Sequence, residues 1–89
     1  TFVKAGMINF TRYLANYYGK QGVRANCICP GGYSNNQPGP FVDAYKKRVP
    51  VGRMLENDDI KGAVVFLASD ASSYVTGTSL MVDGGFTTI

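Results

Sequence analysis

Hydrophobic residues recur at helical spacing along the first part of the chain. The stripe that they form consists of Val3, Met7, Phe10, Leu14 and Tyr17. Further apolar residues lie beside this stripe, so the pattern predicts a helix over residues 2–18 that is apolar around much of its girth. Gly19 and Gly22 end it, because glycine readily takes the left-handed conformation that closes helices. Such a helix is expected to pack on its own sheet and on a second surface, such as another subunit.

Two short apolar stretches are typical of buried strands. The first covers residues 23–29, with Cys27 and Cys29 on one face, and Pro30 and the two glycines after it end its pairing. The second covers residues 78–83. Because a long helical crossover joins them, the strands are expected to be parallel. A two-stranded parallel sheet is not stable in isolation, so further strands must complete it.

The crossover is predicted to contain a polar loop and two helices. The loop, YSNNQPGP, is followed by a short amphipathic helix over residues 41–48. Asn57 is predicted to cap the next helix, with Asp58 and Asp59 in its first turn, where negative charge is stabilising. The core stripe of that helix would consist of Ile60, Ala63, Val64 and Leu67.

Composition indicates a piece of a larger body. Of the 89 residues, 45% are hydrophobic and 17% are charged, whereas about 25% charged residues is usual. The net charge of +3 is scattered, apart from Lys46, Lys47 and Arg48 at a predicted helix end, where cations complement the helix dipole. The sequence therefore favours no nucleic-acid partner. No stretch reaches the roughly 18 apolar residues of a membrane span, and no signal peptide pattern is present.

Cysteine and histidine usage argues against a zinc site. Cys27 and Cys29 are separated by one residue in an extended segment, where a disulfide would be strained. Free thiols suit a reducing compartment, so we expect a cytoplasmic protein. With no histidine and no second cysteine pair, zinc binding is not expected.

Five segments, in order, resemble the C-terminal part of the short-chain dehydrogenase/reductase family. They are the run from Lys4 through AGMINFTRYLA, then VRANCICPGG, PVGRM, DDIKGAVVFLASDASSYVTG and LMVDGG. The resemblance implies an α/β fold, the C-terminal part of a Rossmann-like doubly wound parallel sheet. Residues 1–89 would then be the C-terminal portion of a single NAD(P)-binding domain, whose N-terminal strands are absent.

The resemblance also implies an activity, which is hydride transfer between NAD or NADP and a carbonyl or alcohol substrate. The expected partners are the remainder of the domain and further copies in a dimer or tetramer. The polar loop is similar to those of members acting on sugars or polyols, and its Asn and Gln side chains can bind hydroxyls. Because the glycine-rich phosphate loop and the family's catalytic tyrosine and serine are absent, this chain alone is not expected to be active. The alternative is a non-catalytic structural or oligomerisation module of the same fold.

Lys4 is the candidate catalytic residue. In the family a tyrosine stands four residues before such a lysine, and for Lys4 it would fall directly before Thr1. The family role of the lysine is to hold the nicotinamide ribose hydroxyls and to lower the pKa of that tyrosine. The two side chains share a helix face at this spacing, and a nearby cation favours a phenolate. Without the resemblance, an ordinary solvated lysine is the simpler interpretation.

Four more residues are candidate cofactor contacts by resemblance. Pro30 and Gly31 match the Pro-Gly pair that turns beneath the nicotinamide, although they would equally serve to end a strand. The backbone of Tyr33 would meet the carboxamide. Asn35 stands where the family often has threonine, and it keeps hydrogen-bonding capacity.

Three other features are assigned structural roles or mobility. Arg53 is interpreted as a loop anchor and Asp83 as a turn former. Residues 32–48 are expected to form a mobile lid over the substrate site, since a polar stretch bracketed by glycine and proline is followed by a helix with few apolar anchors.

Overall fold

A computed structural model describes residues 2–88. Its helices and strands are α1 (Phe2–Tyr18), β1 (Cys27–Pro30), α2 (Gly39–Arg48), α3 (Asn57–Ala68) and β2 (Ser79–Val82). Short 3₁₀ turns lie at Gly19–Gln21, Asp70–Ser72 and Phe86–Thr88. Within this range, no helix is long and apolar enough to cross a membrane.

The two strands form a parallel pair, as predicted. Cys27 lies opposite Ser79, and Pro30 lies opposite Val82. Alternate side chains of β1 point to opposite faces. Cys29 lines a cavity with residues of α1, whereas Ile28 lines a groove with residues of α3. The helices therefore cover opposite faces of the strand pair, which is the layer order of a doubly wound fold.

The strand β1 is shorter at its start than predicted. Residues 23–26 lie outside it because their polar groups bind the segment before β2 through side chains. The N–H of Ala25 donates to Thr76 Oγ1 at 3.1 Å, and Asn26 Oδ1 accepts from the Thr78 N–H at 3.0 Å. One backbone bond also joins these segments, from the Gly77 N–H to the Ala25 carbonyl at 2.7 Å, so the pairing before Cys27 is irregular.

The strand β1 ends at Pro30, one residue later than predicted, and its pairing ends at the Pro-Gly-Gly segment as expected. The N–H of Gly31 donates to the Val82 carbonyl at 2.9 Å. A proline is tolerated here because the donor to Val82 comes from the next residue, so the missing N–H costs no ladder bond.

The predicted apolar stripe of α1 is not the face that packs on the strands. Thr11 and Ala15 are buried, and Ala15 Cβ would lie 3.3 Å from a Cβ added to Gly77. Thr11 can occupy this face because its hydroxyl donates to the Met7 carbonyl at 2.7 Å. Most of the stripe is exposed, namely Val3, Met7, Phe10 and Tyr17, together with Tyr13. The periodicity therefore identified the helix correctly but marked a surface that residues 2–88 leave uncovered.

Two helix starts also differ from the prediction. Asn57 is the first residue of α3, and Glu56 is the cap, its N–H donating to Asp59 Oδ2 at 2.8 Å. A carboxylate three residues into the helix reaches back to the cap in this way. The helix α2 begins at Gly39, with Pro40 in the first turn, where no N–H is needed.

Arg24, which is distant in sequence, caps the C-terminal end of α3. Its guanidinium donates to the carbonyls of Leu67, Ser69 and Val75 at 3.1 to 3.2 Å. These acceptors include carbonyls at the end of α3, which have no partner within the helix. Arg24 therefore joins the entry to β1 with the end of α3 and the entry to β2.

The buried hydrophobic core of residues 2–88 is small. It consists of Ala15, Val49, Met54 and Leu55. Of the predicted stripe of α3, Ile60, Ala63 and Leu67 are half-buried, whereas Val64 remains 49% exposed. Much of the apolar surface of both long helices is thus open.

Candidate active site

The carboxyl ends of β1 and β2 meet at a close backbone contact. A Cβ on Gly31 would lie 2.8 Å from Asp83 Cα, so only glycine fits at this position. Ligands of parallel α/β sheets bind beyond the carboxyl ends of the strands. The turn after β1 is therefore the expected place for a ligand.

A cavity of about 410 Å³ opens at this end of the strands, on the side of α1. Its walls include Lys4, Ile8, Cys29, Pro30, Gly31, Gly32, Tyr45, Met81, Asp83, Phe86 and Thr87. Lys4 lies in the first turn of α1 and is exposed. Three of the candidate residues, Lys4, Pro30 and Gly31, thus line a single cavity although they come from different elements.

Cys29 lies in the wall of this cavity beside Cys27, and both thiols are free. Burial raises the pKa of the Cys29 thiol, and neighbouring Cys27 raises it further. The positive charge of Lys4 acts in the opposite direction. The thiol of Cys29 is therefore a neutral wall group at physiological pH rather than a nucleophile. Among residues 2–88, no group of three or more His, Cys, Asp or Glu residues is placed to hold a metal ion.

Tyr45 is a wall residue that the sequence did not indicate. Its hydroxyl accepts a hydrogen bond from the Gly32 N–H at 2.6 Å, and its ring stacks on Phe86 with centroids 5.4 Å apart. The sequence does carry a partial signal, because two glycines after a strand suggest the close approach of another group. Nothing in the local pattern says that the group is Tyr45.

Tyr33 and Asn35 lie outside the lining of the cavity. Tyr33 forms a parallel bridge with Leu55, and its carbonyl accepts from Gln37 Nε2 at 2.7 Å. Within the described range, the Tyr33 N–H donates no hydrogen bond. Asn35 is exposed, and its N–H donates to Gln37 Oε1 at 2.8 Å. Gln37 therefore fixes the loop that carries both residues.

Arg53 and Asp83 have the structural roles that were predicted. Arg53 forms a two-point ion pair with Asp59 at 2.6 and 2.8 Å. The Arg53 hydrogen bond, followed by the Glu56 N–H, lowers the pKa of Asp59 to about 2. Asp83 closes the turn after β2 by accepting from the Gly85 N–H at 3.0 Å. Its pKa is lowered chiefly by the Thr87 hydroxyl.

Comparison with known proteins identifies the family. Residues 1–87 match the family model described as enoyl-(acyl carrier protein) reductase. The crystal structure of a short-chain dehydrogenase from Leptospira borgpetersenii with bound NAD+ superposes with a TM-score of 0.94 at 50% identity. The chain belongs to the short-chain dehydrogenase/reductase family. The superposition covers 97% of this chain and 34% of the Leptospira chain.

Two curated members of the family have related sequences. The 3-oxoacyl-[acyl-carrier-protein] reductase of Chlamydia trachomatis is 43% identical over 92% of this chain and 35% of its own length. The L-rhamnose 1-dehydrogenase (NAD(P)(+)) of Azotobacter vinelandii is 41% identical over 96% of this chain and 36% of its own length. The chain thus spans about a third of the length of these relatives. The predicted family and the Rossmann-like fold class are confirmed.

Proposed function

We propose that this chain is the C-terminal portion of a single NAD(P)-binding domain in an oxidoreductase. That enzyme transfers hydride between a nicotinamide cofactor and a carbonyl or alcohol substrate. The observation that carries the proposal is the cavity at the carboxyl ends of β1 and β2, in which Lys4 lies with Pro30 and Gly31. The relatives named above, which include a dehydrogenase with bound NAD+, support it. The open apolar surface also supports the proposal, because the remainder of the domain would cover it.

The residues present fit a nicotinamide nucleotide. The backbone of Gly31 and Gly32 lines the cavity at the turn after β1. The Tyr33 N–H is available to an acceptor such as a carboxamide oxygen, and the exposed Asn35 side chain can both donate and accept. Lys4 offers three N–H donors to ribose hydroxyls. This donor set would not distinguish NAD from NADP, because the two cofactors share the nicotinamide and its ribose.

Lys4 has two tasks in the proposed reaction. The bound cofactor supplies or accepts the hydride at its nicotinamide ring. Lys4 holds the ribose hydroxyls, and its charge stabilises the phenolate of a tyrosine four residues earlier, as the family implies. Tyrosine has an ordinary pKa of about 10, so a nearby cation is needed before it can exchange a proton with an alcohol near neutral pH. Side chains four residues apart share one face of a helix.

A sugar or polyol is the proposed substrate class. The relative from Azotobacter vinelandii is a sugar dehydrogenase by name, and its identity to this chain is 41%. The loop between β1 and α2 carries the exposed side chains of Ser34, Asn35 and Asn36, which can bind hydroxyl groups. These side chains would form hydrogen bonds with the hydroxyl groups of a sugar or polyol.

We also propose that the complete protein forms a dimer or tetramer in the cytoplasm. The exposed stripe of α1 supports self-association, because Phe10, Tyr13 and Tyr17 stack along one helix face while remaining more than half exposed. Contiguous exposed apolar surface of this kind is typical of an interaction site. The two free thiols, Cys27 and Cys29, support a reducing compartment.

The proposal is tested with the complete protein that contains this chain. NAD+ and NADP+ are supplied separately with panels of sugars, polyols and simple aliphatic alcohols, and formation of the reduced cofactor is followed. Reduction with at least one sugar or polyol, faster than with the aliphatic alcohols, is the expected result. Failure to bind either nucleotide, by a protein that still folds and associates, would instead support the non-catalytic module.

A further inference from the structure

The hydroxyl of Tyr45 holds the turn that follows β1. It accepts the Gly32 N–H at 2.6 Å, and it is the only acceptor of that N–H among residues 2–88. The contact is tight, since a Cβ added to Gly32 would collide with the Tyr45 ring. The Tyr45 ring and the turn at Gly32 therefore pack closely, and neither can move away from the other without breaking the hydrogen bond.

Tyr45 also connects this turn to the end of the chain. Its ring is nearly parallel to that of Phe86, with an interplanar angle of 8° and centroids 5.4 Å apart. Arg48 lies one helical turn further along α2. Its guanidinium carbon lies over the Phe86 ring, 5.9 Å from the ring centroid. Stacked aromatic pairs and cation–π contacts of this geometry add stability beyond area burial. The turn after β1, α2 and the turn after β2 thus meet at Tyr45.

Tyr45 borders two spaces at this end of the strands. Its side chain lines the 410 Å³ cavity that contains Lys4, and it also lines a second cavity of about 230 Å³ on the side of Arg53 and Met54. Gly31 and Gly32 line both. Removing the Tyr45 hydroxyl would release the Gly32 N–H and let this backbone move between the two spaces.

We propose that Tyr45 is a positioning residue for the nicotinamide half of the cofactor. It acts by holding the backbone of Gly32, and through it Tyr33, in the conformation that meets the nicotinamide. This inference rests on the proposed function. It assigns Tyr45 no part in proton or hydride transfer, so its loss weakens cofactor binding and leaves the chemical step intact.

The test uses Tyr45→Phe in the complete protein, which keeps the ring stack on Phe86 and removes only the hydroxyl. Dissociation constants are measured for NADH or NADPH and for ADP-ribose, which lacks the nicotinamide. Loss of one hydrogen bond at a part-buried N–H predicts a cofactor dissociation constant about threefold to tenfold higher. Binding of ADP-ribose and kcat should stay within about twofold of the parent. Tyr74→Phe is the matched control, because Tyr74 is fully exposed, and all three quantities should stay unchanged.

Each outcome decides the inference. Unchanged cofactor binding in Tyr45→Phe, or equal weakening of ADP-ribose and cofactor, overturns it while the proposed function stands. No nucleotide binding by the parent protein overturns both. A lower kcat at unchanged cofactor affinity would mean that Tyr45 serves the chemical step or overall folding instead.

A second pair of variants tests the contact itself. Gly32→Ala should weaken cofactor binding strongly, because its methyl group displaces the Tyr45 ring. In a Tyr45→Ala background the same methyl group meets no ring, so adding Gly32→Ala should cost much less. Strictly additive effects in this double-mutant cycle would contradict the coupling between Gly32 and Tyr45.

Discussion

Nη1 of Arg24 lies 3.0 Å from the hydroxyl oxygen of Ser72, a residue 48 positions away that is only 1% exposed. The same hydroxyl donates to the carbonyls of Leu67 and Ser69 at 3.1 Å, two groups that Arg24 also binds. The Arg24 side chain, through several hydrogen bonds, thereby caps the end of α3 and binds the segment that leads into β2. The contact therefore joins the segment before β1 to the end of α3 and to the segment before β2.

Arg24→Ala is expected to destabilise the complete protein by about 2–4 kcal/mol, because it removes charge-assisted hydrogen bonds and leaves the buried Ser72 and the helix carbonyls with fewer partners. Urea unfolding measures the change. Lys20→Ala is the control, since Lys20 is exposed in the turn after α1. A loss for Arg24→Ala no larger than that for Lys20→Ala would show that the network does not stabilise the fold.

The Arg53–Asp59 pair should give a defined acid dependence. Because the pKa of Asp59 in the folded protein, about 2, lies below its ordinary value of 3.8, ionised Asp59 stabilises the folded state above about pH 4. That contribution is lost as the pH falls towards 2. Arg53→Gln should raise the pKa of Asp59 towards its ordinary value but not fully, because the Glu56 N–H remains.

NMR titration of the side-chain carboxyl carbons measures this pKa. Lys61→Gln is the control, because Lys61 pairs with the neighbouring Asp58 at 2.9 Å and not with Asp59. An Asp59 titration that is the same in Arg53→Gln and the parent protein would contradict the assigned cause.

The exposed aromatic face of α1 is expected to form a subunit interface in the complete protein. Phe10→Glu places a charge in the middle of this face, and a buried unpaired charge strongly opposes association. Sedimentation velocity should show a shift to smaller species. Lys20→Glu, which changes a charge in the turn after the same helix, should leave the assembly intact. Unchanged association of Phe10→Glu would place the interface elsewhere.

Residues 32–48 should become ordered when the cofactor binds. In the structure Tyr45 is the principal anchor of α2, while Phe41 and most of its other side chains are exposed. Trypsin is expected to cleave at Lys46, Lys47 and Arg48 quickly in the free protein and clearly more slowly with saturating NAD(P). Cleavage at Lys20 serves as the internal reference. Equal rates at the α2 sites in both conditions would show that the segment is not coupled to cofactor binding.

Local patterns predicted the elements well because helix and strand formation depend on neighbouring residues. The start and end of α1 and the parallel pairing of the strands follow from spacing, glycine positions and crossover length. The packing face of α1 did not follow, because periodicity marks apolar surface without saying what covers it. Thr11 reaches the packed face since its hydroxyl is satisfied within the helix.

The candidate site was predictable to a similar extent. The spacing and family resemblance led to Lys4, Pro30 and Gly31, which line one cavity. Tyr45 and Arg24 were missed because their partners, Gly32 and Ser72, lie 13 and 48 residues away. Contacts at such separation depend on the fold and leave no periodic signal.

The most direct test of the account is the turnover of the complete protein with Lys4→Ala. If Lys4 holds the ribose and stabilises the phenolate of the proposed tyrosine, kcat should fall by at least about a hundredfold, the lower range for losing acid–base assistance. Lys20→Ala is the control on an exposed lysine and should retain parental turnover. A hundredfold loss in Lys4→Ala alone supports the proposed catalytic role, whereas turnover within a few-fold of the parent would contradict it.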